Sequence, residues 1–250
     1  MTTDDDRLVR AKDLYERSVF HGEPDALAEA DEILDAVEAD LTLARGRIRH
    51  ARYLAERQEV PEEKDLFERA ASLYRALGDP RGEAEALFWI GTFEQVVRGD
   101  DAAALPAFLR AHDLATEVGD RLTLSYVVRH LGFVDMAAGD LAAARGRLEQ
   151  SVALRREIGF RPGVAAGLLA LAELAAEDGR AGEARALLDE AAATARTSGA
   201  AGIMRWIEAA REAVEKNDTP VPKPDPRADP DGGAAAPPGP PGQDVPESRA

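Results

Sequence analysis

Five cationic side chains crowd one short stretch of this 250-residue chain: Arg45, Arg47, Arg49, His50 and Arg52. Arg45, Arg49 and Arg52 follow i, i+4, i+7 spacing and so share one face of a helix. Guanidinium forks bind carboxylates bidentately, which makes the stripe a candidate clamp for a carboxylate-bearing peptide. The chain carries 47 acidic and 31 basic residues and a net charge of −16. In that setting the stripe can instead be a solvated face paired with nearby glutamates, a common and weak arrangement. Leu41, Ala44, Ile48, Ala51 and Ala55 are expected to form the buried face beside it.

Other chemistry is hard to assemble. The four histidines, His21, His50, His112 and His130, are never three or four residues apart, so no helical pair can hold zinc. They are expected as partly exposed helix residues. With no cysteine there is neither a disulfide nor a thiolate metal site, and with no Gly-Lys-Ser or Gly-Lys-Thr there is no P-loop. Asp4-Asp5-Asp6, Glu62-Glu63 and Asp100-Asp101 fall at expected helix starts, where negative charge complements the helix dipole. Asp229 to Gly233 begins like a calcium loop but lacks the later bidentate glutamate. With no nucleophile beside a base, the expected function is noncatalytic, with no cofactor and no metal.

Charge and hydropathy narrow the partners. A pI near 4.7 without a basic tail disfavours nucleic acid, and no apolar run approaches the roughly 18 residues of a membrane span, so neither is expected as a partner. Met1 to Arg10 holds three aspartates and no apolar leader core. Together with the absence of cysteine, this sets the expectation of a cytoplasmic protein. Arginine outnumbers lysine 27 to 4 and alanine is abundant, as in GC-rich bacterial genes.

The elements that must position these groups recur along the chain. Gly78, Gly119, Gly159 and Gly199 are spaced by 41, 40 and 40, each closing an amphipathic run. Gly99, Gly139 and Gly179 sit midway, so each repeat is two helices with a tight turn. The expected helices are 5–21, 25–39, 41–58, 62–77, 81–98, 101–118, 121–138, 141–158, 162–178, 181–197 and 201–216. That is five hairpins and a final helix. Pro24, Pro61, Pro80 and Pro162 fall at helix starts, whereas Pro106 lies a turn inside and predicts a frayed start or mild kink. Ten of the fifteen prolines lie from Pro220 onward. The expected division is therefore a helical-repeat domain over 1–217 and a disordered Pro/Gly/Ala/Asp-rich tail over 218–250.

The pattern Leu131-Gly132, Gly139-Asp140, Ala144, Leu148, with Leu171-Ala172, Gly179, Ala184, Leu188 and Ile90-Gly91, Gly99, Ala104, Phe108, resembles the tetratricopeptide repeat. It is closest to the 40-residue variety in C-terminal arrays of large bacterial transcription regulators. The match covers residues 81–198 and is weaker over 1–80, where Tyr15 and Ala51 take the close-packing position. The resemblance implies an all-α fold, a right-handed superhelical solenoid of antiparallel hairpins. It also implies a concave surface lined by the first helix of each pair and binding a protein or peptide partner. Family geometry would place Phe88 and Thr92, and Tyr126, Arg129, Phe133 and Met136, on that side. The expected function is a protein-interaction adaptor or regulator, and the alternative is a sensor of a small acidic peptide.

Overall fold

The structure, a computed structural model, describes residues 5–215. The expected tail over 218–250 lies outside the described residues. Among those described, ten α-helices and no strand are found: α1 (Asp6–His21), α2 (Ala26–Glu56), α3 (Glu62–Ala76), α4 (Pro80–Thr92), α5 (Asp101–Glu117), α6 (Arg121–Ala137), α7 (Leu141–Glu157), α8 (Arg161–Glu177), α9 (Ala181–Ser198) and α10 (Ala201–Glu215). Successive helices pack on one another along the chain, and α4 also touches α6, as α8 touches α10. The result is a stack of antiparallel hairpins, the all-α TPR-like helical repeat expected from the sequence. No helix of the described residues is long and apolar enough to cross a membrane.

A Gly-Asp pair makes four of the turns. At Gly78-Asp79 the glycine has φ +66°, the left-handed conformation that ends a helix without a Cβ clash. The next residue starts the following helix: the Asp79 carboxylate accepts from the Arg81 and Gly82 amides at 3.0 and 3.1 Å. Asp100, Asp120 and Asp140 cap α5, α6 and α7 in the same way. The first Gly-to-Gly interval is one residue longer than the next two, and the structure absorbs the extra residue in a π-helical turn, Phe93–Val97, at the end of α4. There the Arg98 amide reaches back to the Phe93 carbonyl at 3.2 Å. Helix α5 runs through Pro106 from Asp101 to Glu117.

The largest departure from expectation is α2. Two helices, 25–39 and 41–58, were expected, yet one helix of 31 residues spans both. No glycine or proline stands between Ala26 and Gly46, so nothing supplies a left-handed stop near Asp40. The helix ends only at Arg57, a non-glycine at φ +56°. The C-terminal half of α2 also buries a different face from the one expected. Leu43, Gly46, His50, Tyr53 and Leu54 are buried, whereas Leu41 and Ile48 are 48% and 57% exposed and Ala44 and Ala55 also face solvent. An alternative apolar stripe misled the periodicity, because alanine and leucine occupy both sides of this helix.

Three of the hairpins are closed by a residue without a side chain facing a bulky one. A Cβ on Gly91 would stand 2.5 Å from the Phe108 ring, and one on Gly46 would stand 2.4 Å from the Phe67 ring. Gly46, rather than Ala51, is therefore the close-packing residue of the second hairpin. Tyr15, expected in that role for the first, is 54% exposed. At Gly132 the added atom would meet Leu148 at 3.2 Å, a milder contact. Around these crossings lie two main apolar clusters, one centred on Phe67, Phe88, Phe108 and Leu131, the other on Leu148, Leu168, Leu174, Leu188 and Ile207.

Gly91→Ala is expected to destabilise the fold by about 2 kcal/mol or more, because the Phe108 ring is locked in the core and cannot yield. Gly146, in the exposed face of α7 with open space around its Cβ position, gives the opposite sign: Gly146→Ala should stabilise by roughly 0.5–1 kcal/mol. Urea titration of both variants checks the pair.

Candidate functional site

The first helices of successive hairpins, α4 and α6, touch along one layer, and the residues they bring together there are mostly aromatic. The Phe88 ring of α4 stacks on Tyr126 of α6 with centroids 5.4 Å apart, and meets His130 edge-on at 5.2 Å. His130 in turn meets Phe133 at 5.7 Å, and the Arg129 guanidinium lies 4.6 Å over the Phe133 ring. Four of the six expected inner-layer residues, Phe88, Tyr126, Arg129 and Phe133, are thus linked through His130. Their exposure differs from expectation. Phe88, Thr92, Arg129 and Met136 are buried at 2%, 0%, 3% and 6%, serving as core, while Tyr126 and Phe133 stay partly exposed. The physical reason is that Phe88 and Met136 are built into the two apolar clusters between hairpins, which leaves Tyr126 and Phe133 at their edge.

Tyr126 also marks the junction of three helices. Arg155 of α7, fully buried, holds its guanidinium 5.0 Å over the Tyr126 ring and donates to the Gly163 carbonyl of α8 at 2.9 Å. An open pocket of about 590 Å³ lies beside this ring, lined by Arg81, Asp120, Arg121, Leu122 and Phe160 as well. Two guanidiniums and two aromatic rings therefore border one space.

Arg45, Arg49 and Arg52 do not join this layer. Arg45 and Arg52 are exposed and Arg49 is half-buried. Arg47, two residues from both Arg45 and Arg49 and so on another side of the helix, is the arginine that reaches the layer. It pairs with Glu85 of α4 at 3.2 Å and lies 5.9 Å over the Trp89 ring.

Three polar groups escaped the sequence reading. His50 and His130, expected as partly exposed, are 0% and 1% exposed. His50 Nδ1 lies 2.8 Å from Oε1 of Glu63, itself fully buried, so Glu63 does more than complement a helix dipole. His130 Nδ1 meets Gln95 Oε1 at 2.6 Å, and the Gln95 amide also donates to Asp101 at 2.7 Å. No spacing pattern joins these residues, since each pair bridges different helices. Glu173 carried a readable signal: it is the one charge inside the apolar run Val164 to Ala176 of α8. Desolvation by burial pushes its carboxyl up to about 7, opposed by the positive charge of Arg129. Among the described residues no group of His, Asp and Glu is arranged to hold a metal ion.

Glu173 makes stability depend on pH with a definite sign. The folded state holds its proton more tightly than the unfolded chain, so stability falls as pH rises from about 4.5 to about 7. Glu173→Gln is expected to flatten that slope and to raise stability at pH 8 by on the order of 1 kcal/mol. Thermal melts of both proteins between pH 4.5 and 8 check it.

No curated protein matches the chain. A family model does: residues 120–197, from the cap of α6 almost to the end of α9, match the tetratricopeptide repeat. That span contains the Gly132 crossing, the Gly139-Asp140 turn, and Tyr126, Arg129 and Phe133, and the match supports reading the chain as a tetratricopeptide-repeat protein.

Proposed function

We propose that this protein is a noncatalytic adaptor whose inner helix layer takes an extended segment of a partner protein. Tetratricopeptide repeats generally mediate protein–protein interactions, and proteins built from them are typically noncatalytic scaffolds. The observation that carries the reading here is the row of partly exposed side chains on the matched helices, Tyr126 and Phe133 on α6 and Glu173 on α8, with Arg129 between them. Aromatic rings held by their neighbours offer apolar contact area at little entropic cost. The Glu173 carboxyl beside them supplies an acceptor for a peptide's polar groups. A segment with an aromatic or long aliphatic anchor and a nearby hydrogen-bond donor suits that surface better than a uniformly acidic one, because Glu173 borders it.

A photo-crosslinking amino acid at position 133 is expected to give adducts with a partner in cells, and the same group at exposed Gln150 on the outer helix α7 is expected to give none. Equal adducts from both positions, or none from 133, would overturn the groove.

A further inference from the structure

Leu27, Leu34, Leu41 and Ile48 recur every seven residues along α2, and they are 48%, 42%, 48% and 57% exposed. Ala30, Val37, Ala44 and Ala51 stand three residues after each, so the helix carries four heptads with large residues at the first apolar position and small ones at the second. Helix α1 covers the small-residue side of the N-terminal half, burying Ala26 and Ala30. It reaches no further than Asp40, where Arg7 near its start pairs with that carboxylate at 2.6 Å. Beyond that point Ala44, Ile48 and Ala55 lie open, on the side of α2 opposite the face packed on α3. A row of four large apolar side chains on one exposed helix face is more than scattered surface hydrophobics.

The charges beside the stripe identify what covers it. The position following each small residue holds Asp31, Glu38, Arg45 and Arg52: acidic in the first half, basic in the second. Among the described residues Asp31, Arg45 and Arg52 form no ion pair, and Glu38 pairs with Arg69 at 2.6 Å. A parallel copy would set Asp31 on Asp31 and Arg52 on Arg52. A partner helix of one charge sign would be repelled by half of the stripe. An antiparallel copy centred near Thr42 instead sets Asp31 against Arg52 and Glu38 against Arg45. The same register sets Leu41 against Ala44, Leu34 against Ala51 and Ile48 against Val37, each larger residue on a smaller one.

We propose that this face of α2 is the interface of an antiparallel homodimer, in which the N-terminal half of each α2 packs on the C-terminal half of the other. The missing turn explains why the contact is made between chains. In the later hairpins a turn lets the chain fold back on itself, but α2 runs straight through Asp40, so its first half cannot lie along its second. Exchange of an identical element between two copies supplies the contact in trans. The interface lies outside the layer of α4 and α6 and does not rest on the adaptor reading.

Analytical ultracentrifugation of the full chain at micromolar concentration is expected to show a species of twice the 26.8 kDa chain mass. Leu41→Glu with Ile48→Glu should give a monomer, and circular dichroism should keep the wild-type helicity because both side chains are already exposed. Arg52→Glu should weaken the dimer about tenfold, and adding Asp31→Arg to the same chain should restore it. This charge swap stays decisive if the apolar variant misfolds. Because the chain has no cysteine, oxidative crosslinking reads the register directly: Leu41→Cys with Ala44→Cys should give covalent dimers and Leu27→Cys should give none. A monomeric wild type, a dimer indifferent to the Leu41 and Ile48 changes, or crosslinking through Leu27→Cys would each overturn the proposal.

Discussion

A helix can take a whole aromatic ring of its hairpin partner against its backbone only where it presents no side chain, and the geometry of the second and third hairpins depends on that contact. Gly46 under Phe67 and Gly91 under Phe108 let an aromatic ring approach the backbone of the partner helix directly. Glycine inside a helix costs about 1 kcal/mol relative to alanine. The burial of a ring such as Phe108, 0% exposed, more than offsets this, since fully burying such a side chain contributes about 1.5–3 kcal/mol. With the crossing fixed, the turn that follows needs only a glycine to end one helix and an aspartate to begin the next. The stack is then determined by neighbouring contacts, as expected of a quasi-one-dimensional array.

The same logic accounts for what happens where a device is missing. Between Ala26 and Gly46 there is no helix-stopping residue, and α2 continues for 31 residues. The first hairpin is therefore held to the rest of the array through a shared helix instead of a turn. Apolar side chains that a fold-back would have covered remain at the surface. In the third hairpin the extra residue is accommodated in the opposite way: a π-helical turn at Phe93–Val97 takes it up without disturbing the packing of α4 on α5. One irregularity is absorbed locally, and the other changes the shape of the N-terminal end.

Polar groups in the interior follow the seams between helices. His50 with Glu63, His130 with Gln95, and Arg155 with Gly163 each join residues from different helices, and each contact pairs polar atoms that would be costly to bury alone. Arg129 on α6 and Glu173 on α8 carry opposite charges, but desolvation outweighs the guanidinium and pushes the carboxyl up to about 7.

Sequence by itself determined the helical class, the turn positions from Gly78 onward, and the close-packing glycines Gly91 and Gly132, because each of these rests on local chemistry repeated at a fixed period. The structure added that Asp79, Asp100, Asp120 and Asp140, each following one of the turn glycines, cap the next helix. The family resemblance put Phe88, Tyr126, Arg129 and Phe133 on one side of α4 and α6; the structure joins them through His130 and buries Phe88 and Arg129 in the core. Only the tertiary structure decided which face of α2 is buried, since alanine and leucine on both sides of that helix give two stripes of similar periodicity and only the packing of α3 chooses between them. It also decided that His50, Glu63 and His130 are core residues. Their partners lie 13 and 35 residues away in sequence, and such pairings arise from the docking of helices, a non-local event that no residue's own pattern encodes.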